Sequence, residues 1–135
     1  MNTSFRSFVH SLITEDLGGF VIDIEKETLD NGNYRKVLYT APHLQLVLMS
    51  LLPNQEIGSE VHESNDQFIR VEQGTGRCIL NGKDYPLQDG VSIVVPQGTE
   101  HNIINTGKDE MKMYVLYSPQ HHDVGLTQKT KPNEK

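Results

Sequence analysis

The spacing of apolar positions changes near residue 18. Before it, Phe5, Phe8, Val9, Leu12 and Ile13 recur at the spacing of one helix face. Thr3 or Ser4 can cap that segment at its start, and Gly18–Gly19 stops it. The pattern predicts a short amphipathic helix on the outside of the domain. Its polar face is poor in lysine, which argues against a membrane-surface role. After Gly19, turn signals recur: Asn31-Gly32, Pro42, Pro53-Asn54, Gly74 and Gly76, Asn81-Gly82, Asp89-Gly90, Pro96 and Gly98, Gly107, Pro119. Between them lie short segments rich in β-branched and aromatic residues, at 34–40, 44–52, 67–72, 77–80, 91–95, 102–105 and 111–117. Evenly spaced short strands with Gly/Pro turns predict an all-β sandwich or barrel. Asn81-Gly82 is a two-residue hairpin signal, because both residues tolerate positive φ.

Composition narrows the function classes. The 135 residues suffice for one domain with its own core, and charged residues are 22%, too few for a disordered polyelectrolyte. Twelve basic and 18 acidic residues leave a net charge of −6, which repels nucleic acid, and no basic stripe offsets it. No apolar run approaches the ~20 residues of a membrane span, and the first residues lack the pattern of a secretory signal. A single cysteine, Cys78, allows neither an internal disulfide nor a cysteine-based zinc site. The expectation is a cytoplasmic protein with a small-molecule partner, and no nucleic acid or membrane partner. The closing TQKTKPNEK, with three lysines, reads as a solvated tail.

Two segments hold most of the groups able to do chemistry. The first runs from Gly58 through Glu60, His62, Asp66 and Gln67 to Gly74; the second runs from Gly90 through Pro96, Gly98 and His101 to Asn105. Glu60 and His62 are two apart, so an extended backbone puts them on one face. Two imidazoles and a carboxylate converging inside a small barrel suit a divalent transition metal.

These segments resemble the two motifs of the cupin superfamily. The second fits at each marked position: Gly90, five residues, Pro96, one residue, Gly98, two residues, His101, three residues, Asn105. The first fits in spacing but departs in ligands, with Glu60-Val61-His62 where the family usually has His-x-His, and Gln67 where it usually has Glu. The resemblance implies a jelly-roll barrel, the double-stranded β-helix of cupins. The expected layout is an N-terminal helical extension over residues 1–19, a barrel over 20–118 and an extended tail over 119–135. The segments VIDIEKETLDNGNYRKVLYT, LQLVLMSLLPNQEIGSEVH, DQFIRVEQGTG and PQGTEHNIINTG also resemble a narrower group of small single-domain cupins described as phosphomannose-isomerase-like.

By this resemblance Glu60, His62, Gln67 and His101 would hold one divalent ion: Zn, Mn, Fe, Co or Ni. Asp66 is the more anionic rival to Gln67, but the two point to opposite faces of a strand. Counting back from Gly74 selects Gln67. Phosphomannose isomerases also use one Gln, one Glu and two His, and small cupins of uronate degradation place a glutamine at this third position. The implied activity is isomerase-like, on a small hydroxy-carbonyl compound such as a sugar or sugar acid. An Fe(II)-dependent dioxygenase and a non-catalytic binding cupin are the alternatives. No general base declares itself; His121, His122 and Tyr117 are candidates. Cupins of this size commonly pair, so a homodimer is expected.

Overall fold

The computed structural model describes residues 18–132, and the helix predicted from Phe5 to Ile13 lies outside them. The regular structure of the described chain is almost all antiparallel strand. They are β1 (Arg35–Thr40), β2 (Gln45–Leu51), β3 (Asp66–Gln73), β4 (Gly76–Leu80), β5 (Lys83–Leu87), β6 (Ser92–Val95), β7 (His101–Asn105), β8 (Met111–Ser118) and β9 (Thr127–Gln128). A six-stranded sheet has the order β6-β3-β8-β2-β1-β9, and a three-stranded sheet has the order β5-β4-β7. Isolated bridges Glu56↔Ile104 and Glu60↔His101 lay the segment before β3 alongside β7. This is the all-β architecture expected from the strand spacing, and the jelly roll that the cupin resemblance implies. No helix among the described residues is long and apolar enough to cross a membrane.

Strand register explains where polar groups stand. Residues directly opposite in a sheet present their side chains to one face. On the inner face of the large sheet, Leu51 stands opposite Met111, and Met49 opposite Met113, which in turn faces Val71. The next row is Val47, Val115, Ile69 and Ile93. Those rows are apolar and buried. The row after them is Gln45, Tyr117, Gln67 and Val95, so this level of the interior is mostly polar. The small sheet runs in parallel fashion, from Asn105 through Ile103, opposite Cys78, to His101, opposite Leu80. The barrel is therefore an apolar plug with a polar mouth. Cys78 belongs to the plug, and burial pushes its thiol up to about 11, so it stays an unreactive filler at neutral pH.

Two glycines hold the layers together. Gly74 turns the chain out of β3 at φ +109°, where a Cβ would stand 2.9 Å from Met111 Cα. At Gly76 a Cβ would stand 2.2 Å from the Ile104 carbonyl oxygen. Any side chain there forces β4 away from β7.

Three elements differ from the sequence expectation. A helix, α1 (Ile24–Asp30), precedes the barrel and packs on β2, β3 and β8. Asp23 caps it by accepting from Lys26 N at 3.2 Å, and Glu25 and Glu27 fill the first turn. β5 is an edge strand, exposed except at Leu87, which is why it tolerates Pro86 and shows no apolar alternation. It pairs with β4 across the Asn81-Gly82 turn, whose φ values are 47° and 83°. Residues 119–132 also fold back on the barrel. β9 pairs with β1, and Lys131 Nζ donates to the Glu56 carbonyl at 2.8 Å.

Candidate metal centre

Glu60, His62, Gln67 and His101 line one pocket at the polar mouth, with Arg35, Met49, Ile57, Ile69, Val115, Tyr117, His121 and His122. The two sequence motifs meet there through backbone pairing. Glu60 N donates to the His101 carbonyl and His101 N to the Glu60 carbonyl, both at 2.9 Å, and Gly98 N donates to the His62 carbonyl at 2.9 Å. Gln67 is buried and faces the pocket. Its neighbour Asp66 points away and accepts from Gln97 N at 2.8 Å. Asn105 is also no pocket group: it closes a turn, donating to the carbonyls of Leu51 and Asp109 and accepting from Gly107 N. Arg70 lies on the outer face beside Glu72, 3.3 Å away.

Hydrogen bonding sets the tautomer of each histidine. His101 Nδ1 donates to the Thr99 carbonyl at 2.9 Å, so its Nε2 carries a lone pair. Asn65 Nδ2 donates to the carbonyls of Pro119 and Gln120, which turns its Oδ1 toward His62 Nδ1 at 3.3 Å. His62 Nδ1 therefore carries the proton, and Nε2 faces Glu60 Oε1 at 3.0 Å. A lone pair facing a carboxylate is repulsive unless a cation or a proton on Nε2 lies between them. The donor atoms of Glu60, His62 and His101 all lie within 4.8 Å of one another. This donor set fits a divalent ion, with Asn65 and Thr99 orienting the ligands as outer partners do at metal sites. Gln67 Nε2 stands 3.2 Å from His101 Nε2, and half a turn of the amide presents Oε1 to the same centre.

The groups around the cluster are tuned by burial and by Arg35. Burial raises the Glu60 carboxyl, but the His62 hydrogen bond and the charges of His62, His101 and Arg35 outweigh it and hold Glu60 below its ordinary range. Burial pushes the Tyr117 phenol well up, so it remains protonated. His121 is held below its ordinary value by burial and by His62. His122 is pushed down to about 3, first by burial, then by Arg35 and His121. Both imidazoles are neutral at pH 7. The His121 ring packs at a tilt against that of His62, 4.2 Å between centroids, and His122 Nε2 meets the Tyr117 hydroxyl at 3.3 Å.

The His122 shift has a consequence for stability. The unfolded chain takes up a proton at this imidazole as pH falls through about 6.5, whereas the folded chain does so only near 3. The contribution is present above pH 6.5 and is lost as pH falls toward 3. Melting of metal-free protein is expected at lower temperature at pH 5 than at pH 7. His122→Phe should flatten that slope, and an equal slope in the variant would remove His122 as its source.

Of the residues outside the two motifs, the sequence named Tyr117, His121 and His122 as candidates and missed Arg35 and Gln45. Arg35 stands on β1, opposite Met49 and therefore on the inner face. Gln45 is fully buried and fixes residues 121–122: its Oε1 accepts from His121 N at 3.1 Å and His122 N at 3.0 Å, and its Nε2 donates to the His122 carbonyl at 2.7 Å. A charged residue at an inward strand position was the one available signal for Arg35. With the strap of residues 119–122 in place, the enclosed space is about 20 Å³, room for about one water.

Comparison with known proteins agrees with this geometry. The cupin domain family model matches residues 47–117. Uncharacterized protein L612 of Acanthamoeba polyphaga mimivirus is 47% identical over 111 residues, covering 78% of this chain and 69% of that one. The crystal structure of BH2720 from Bacillus halodurans is 36% identical with a TM-score of 0.82, covering 87% of this chain and 94% of that one. KdgF from Halomonas sp. is 28% identical with a TM-score of 0.66, covering 78% of this chain and 97% of that one.

Proposed function

We propose that this chain, which belongs to the cupin domain family, is a metal-dependent isomerase-like enzyme acting on a small hydroxy-carbonyl compound, a sugar or sugar acid. The observation that carries this reading is the convergence of His62 Nε2, His101 Nε2 and the Glu60 carboxylate beside Gln67, at the polar mouth of the barrel. A bound divalent ion supplies Lewis-acid polarisation of carbonyl and hydroxyl oxygens. Four protein ligands at most leave room for a substrate oxygen.

The remaining chemistry falls to the strap. His121 is neutral, stands over His62 and is open to solvent on one side. It is suited to take the proton from the carbon beside the carbonyl and return it to the former carbonyl carbon. The protonated Tyr117 hydroxyl is a donor for the oxygen on which negative charge develops.

The test is reconstitution with Zn(II), Mn(II) or Fe(II), followed by a screen of small hydroxy-carbonyl compounds in deuterated water. Deuterium entering carbon under strict exclusion of oxygen, lost in His121→Ala, is the expected result. Oxygen uptake coupled to product with Fe(II) alone would replace this reading by a dioxygenase. Ligand-induced thermal stabilisation without turnover under any condition would replace it by a binding protein.

A further inference from the structure

We infer that Arg35 binds a carboxylate and that the ligand of this pocket is a small carboxylic acid. The inference narrows the proposed substrate class, and so rests on that reading of the pocket.

The argument begins with position. Arg35 pairs with Met49, whose row continues through Met113 and Val71 into the apolar interior. Arg35 lines the pocket together with Met49, Ile57, Ile69 and Val115. A permanent charge on such a face needs a partner. The partners present are incomplete. One guanidinium nitrogen, Nη1, donates to Gln128 Oε1, and the Tyr34 ring lies 5.0 Å from the guanidinium carbon. Nε is buried with no hydrogen-bond partner, and none of the ion pairs among the described residues includes Arg35.

The fold holds Arg35 in place despite this. β9 is two residues long, and within it Gln128 stands directly opposite Arg35. Gln128 thus fixes one end of the guanidinium from the strand that seals the sheet edge. The Tyr34 ring supports its position. What remains without a partner is Nε.

Charge arithmetic points the same way. Among the lining residues Glu60 is the only acid and Arg35 the only permanent cation, so these two cancel. A divalent ion at the cluster then leaves the mouth with about two positive charges, which an anion offsets. A planar carboxylate matches a guanidinium edge, and Arg is the side chain suited to it. An acid with an adjacent hydroxyl or carbonyl would reach Arg35 with one end and the cluster with the other.

Calorimetric titration tests this, with glycolate and its uncharged counterpart glycolamide as probes, on metal-loaded protein. Wild type is expected to prefer glycolate by about 10- to 100-fold, the range that a charge-assisted hydrogen bond carries. Arg35→Gln should bring the two probes to near equality, and Arg35→Lys should keep part of the preference by charge alone. Thermal melting and metal content of both variants verify that fold and metal site persist. Equal preference in wild type and Arg35→Gln overturns the inference, as does a wild type that binds neither probe at millimolar concentration. Inorganic phosphate displacing glycolate at lower concentration than glycolate itself requires would overturn the carboxylate assignment. If metal content is normal but the preference is absent, Arg35 fails and the metal reading stands. If no metal binds but the Arg35-dependent preference persists, the inference stands and the metal reading falls.

Discussion

Replacing His62 and His101 together by alanine is expected to abolish metal binding. Wild-type protein purified without chelator or affinity tag should carry about one transition-metal ion per chain, and the double variant only background. The reason lies in the lone pairs. Thr99 and Asn65 fix the protons on the two Nδ1 atoms, so both Nε2 atoms serve only to meet a cation or accept a proton. Without the imidazoles, Glu60 and Gln67 remain, and Glu60 then has no fixed cationic partner at hydrogen-bond distance. The effect extends to stability. An ion present at a thousand times its dissociation constant stabilises the fold by about 4 kcal/mol, and the double variant forfeits that gain. Gln67→Ala should weaken binding less than either single histidine change, because a neutral amide oxygen is the weakest of the four donors. Asn65→Ala, which touches no ion, should still weaken binding by about 10- to 100-fold by freeing the His62 ring. Elemental analysis and metal titration read all of these. Metal content unchanged in His62→Ala/His101→Ala would end the metal reading.

That cluster was legible in the sequence because strand geometry converts spacing into direction. Gln67 and Asp66 are adjacent, so only one faces inward, and the turn at Gly74 fixes which. The same alternation puts Arg70 on the outer face and Val115 and Tyr117 on the inner one. Most strands were legible because turn residues bound short β-branched and aromatic segments; alternation does not mark β2, where Leu48 and Ser50 are buried as well as Val47, Met49 and Leu51. β5 was not, because this exposed edge strand is no such segment. The helix Ile24–Asp30 was signalled by Asp23 as cap and by Glu25 and Glu27 after it, yet it is only seven residues long and its one buried residue is Thr28. Too short for an apolar period, it is held by tertiary contact such as Lys112 Nζ donating to the Leu29 carbonyl at 2.6 Å. Arg35 and Gln45 were missed for another reason. Their role depends on partners 77 to 93 residues away, Gln128 and His122, and no local pattern reports a contact of that range.

Gln45→Met is expected to release the strap over the metal centre while leaving the barrel folded. Methionine matches glutamine in length and volume, so little cavity is created. What it removes is polar. Gln45 Oε1 accepts from the amides of His121 and His122, and Nε2 donates to the His122 carbonyl and, at 3.1 Å, to Thr40 Oγ1. Each group left unpartnered in place would cost about 1–3 kcal/mol. The strap avoids most of that by moving into water, since His121 is already exposed and Asn65 alone then tethers Pro119 and Gln120. Global stability should therefore fall by only about 2–4 kcal/mol, whereas the His121 and His122 amides should exchange with solvent more than about 100-fold faster. Metal content should persist, because Gln45 touches none of Glu60, His62, Gln67 or His101. Under the proposed reaction, turnover should drop through loss of a placed His121, a kcat effect that substrate concentration does not rescue. Hydrogen exchange at those two amides is the decisive measurement. Wild-type rates in Gln45→Met would mean that the strap is held by something other than the buried glutamine beneath it.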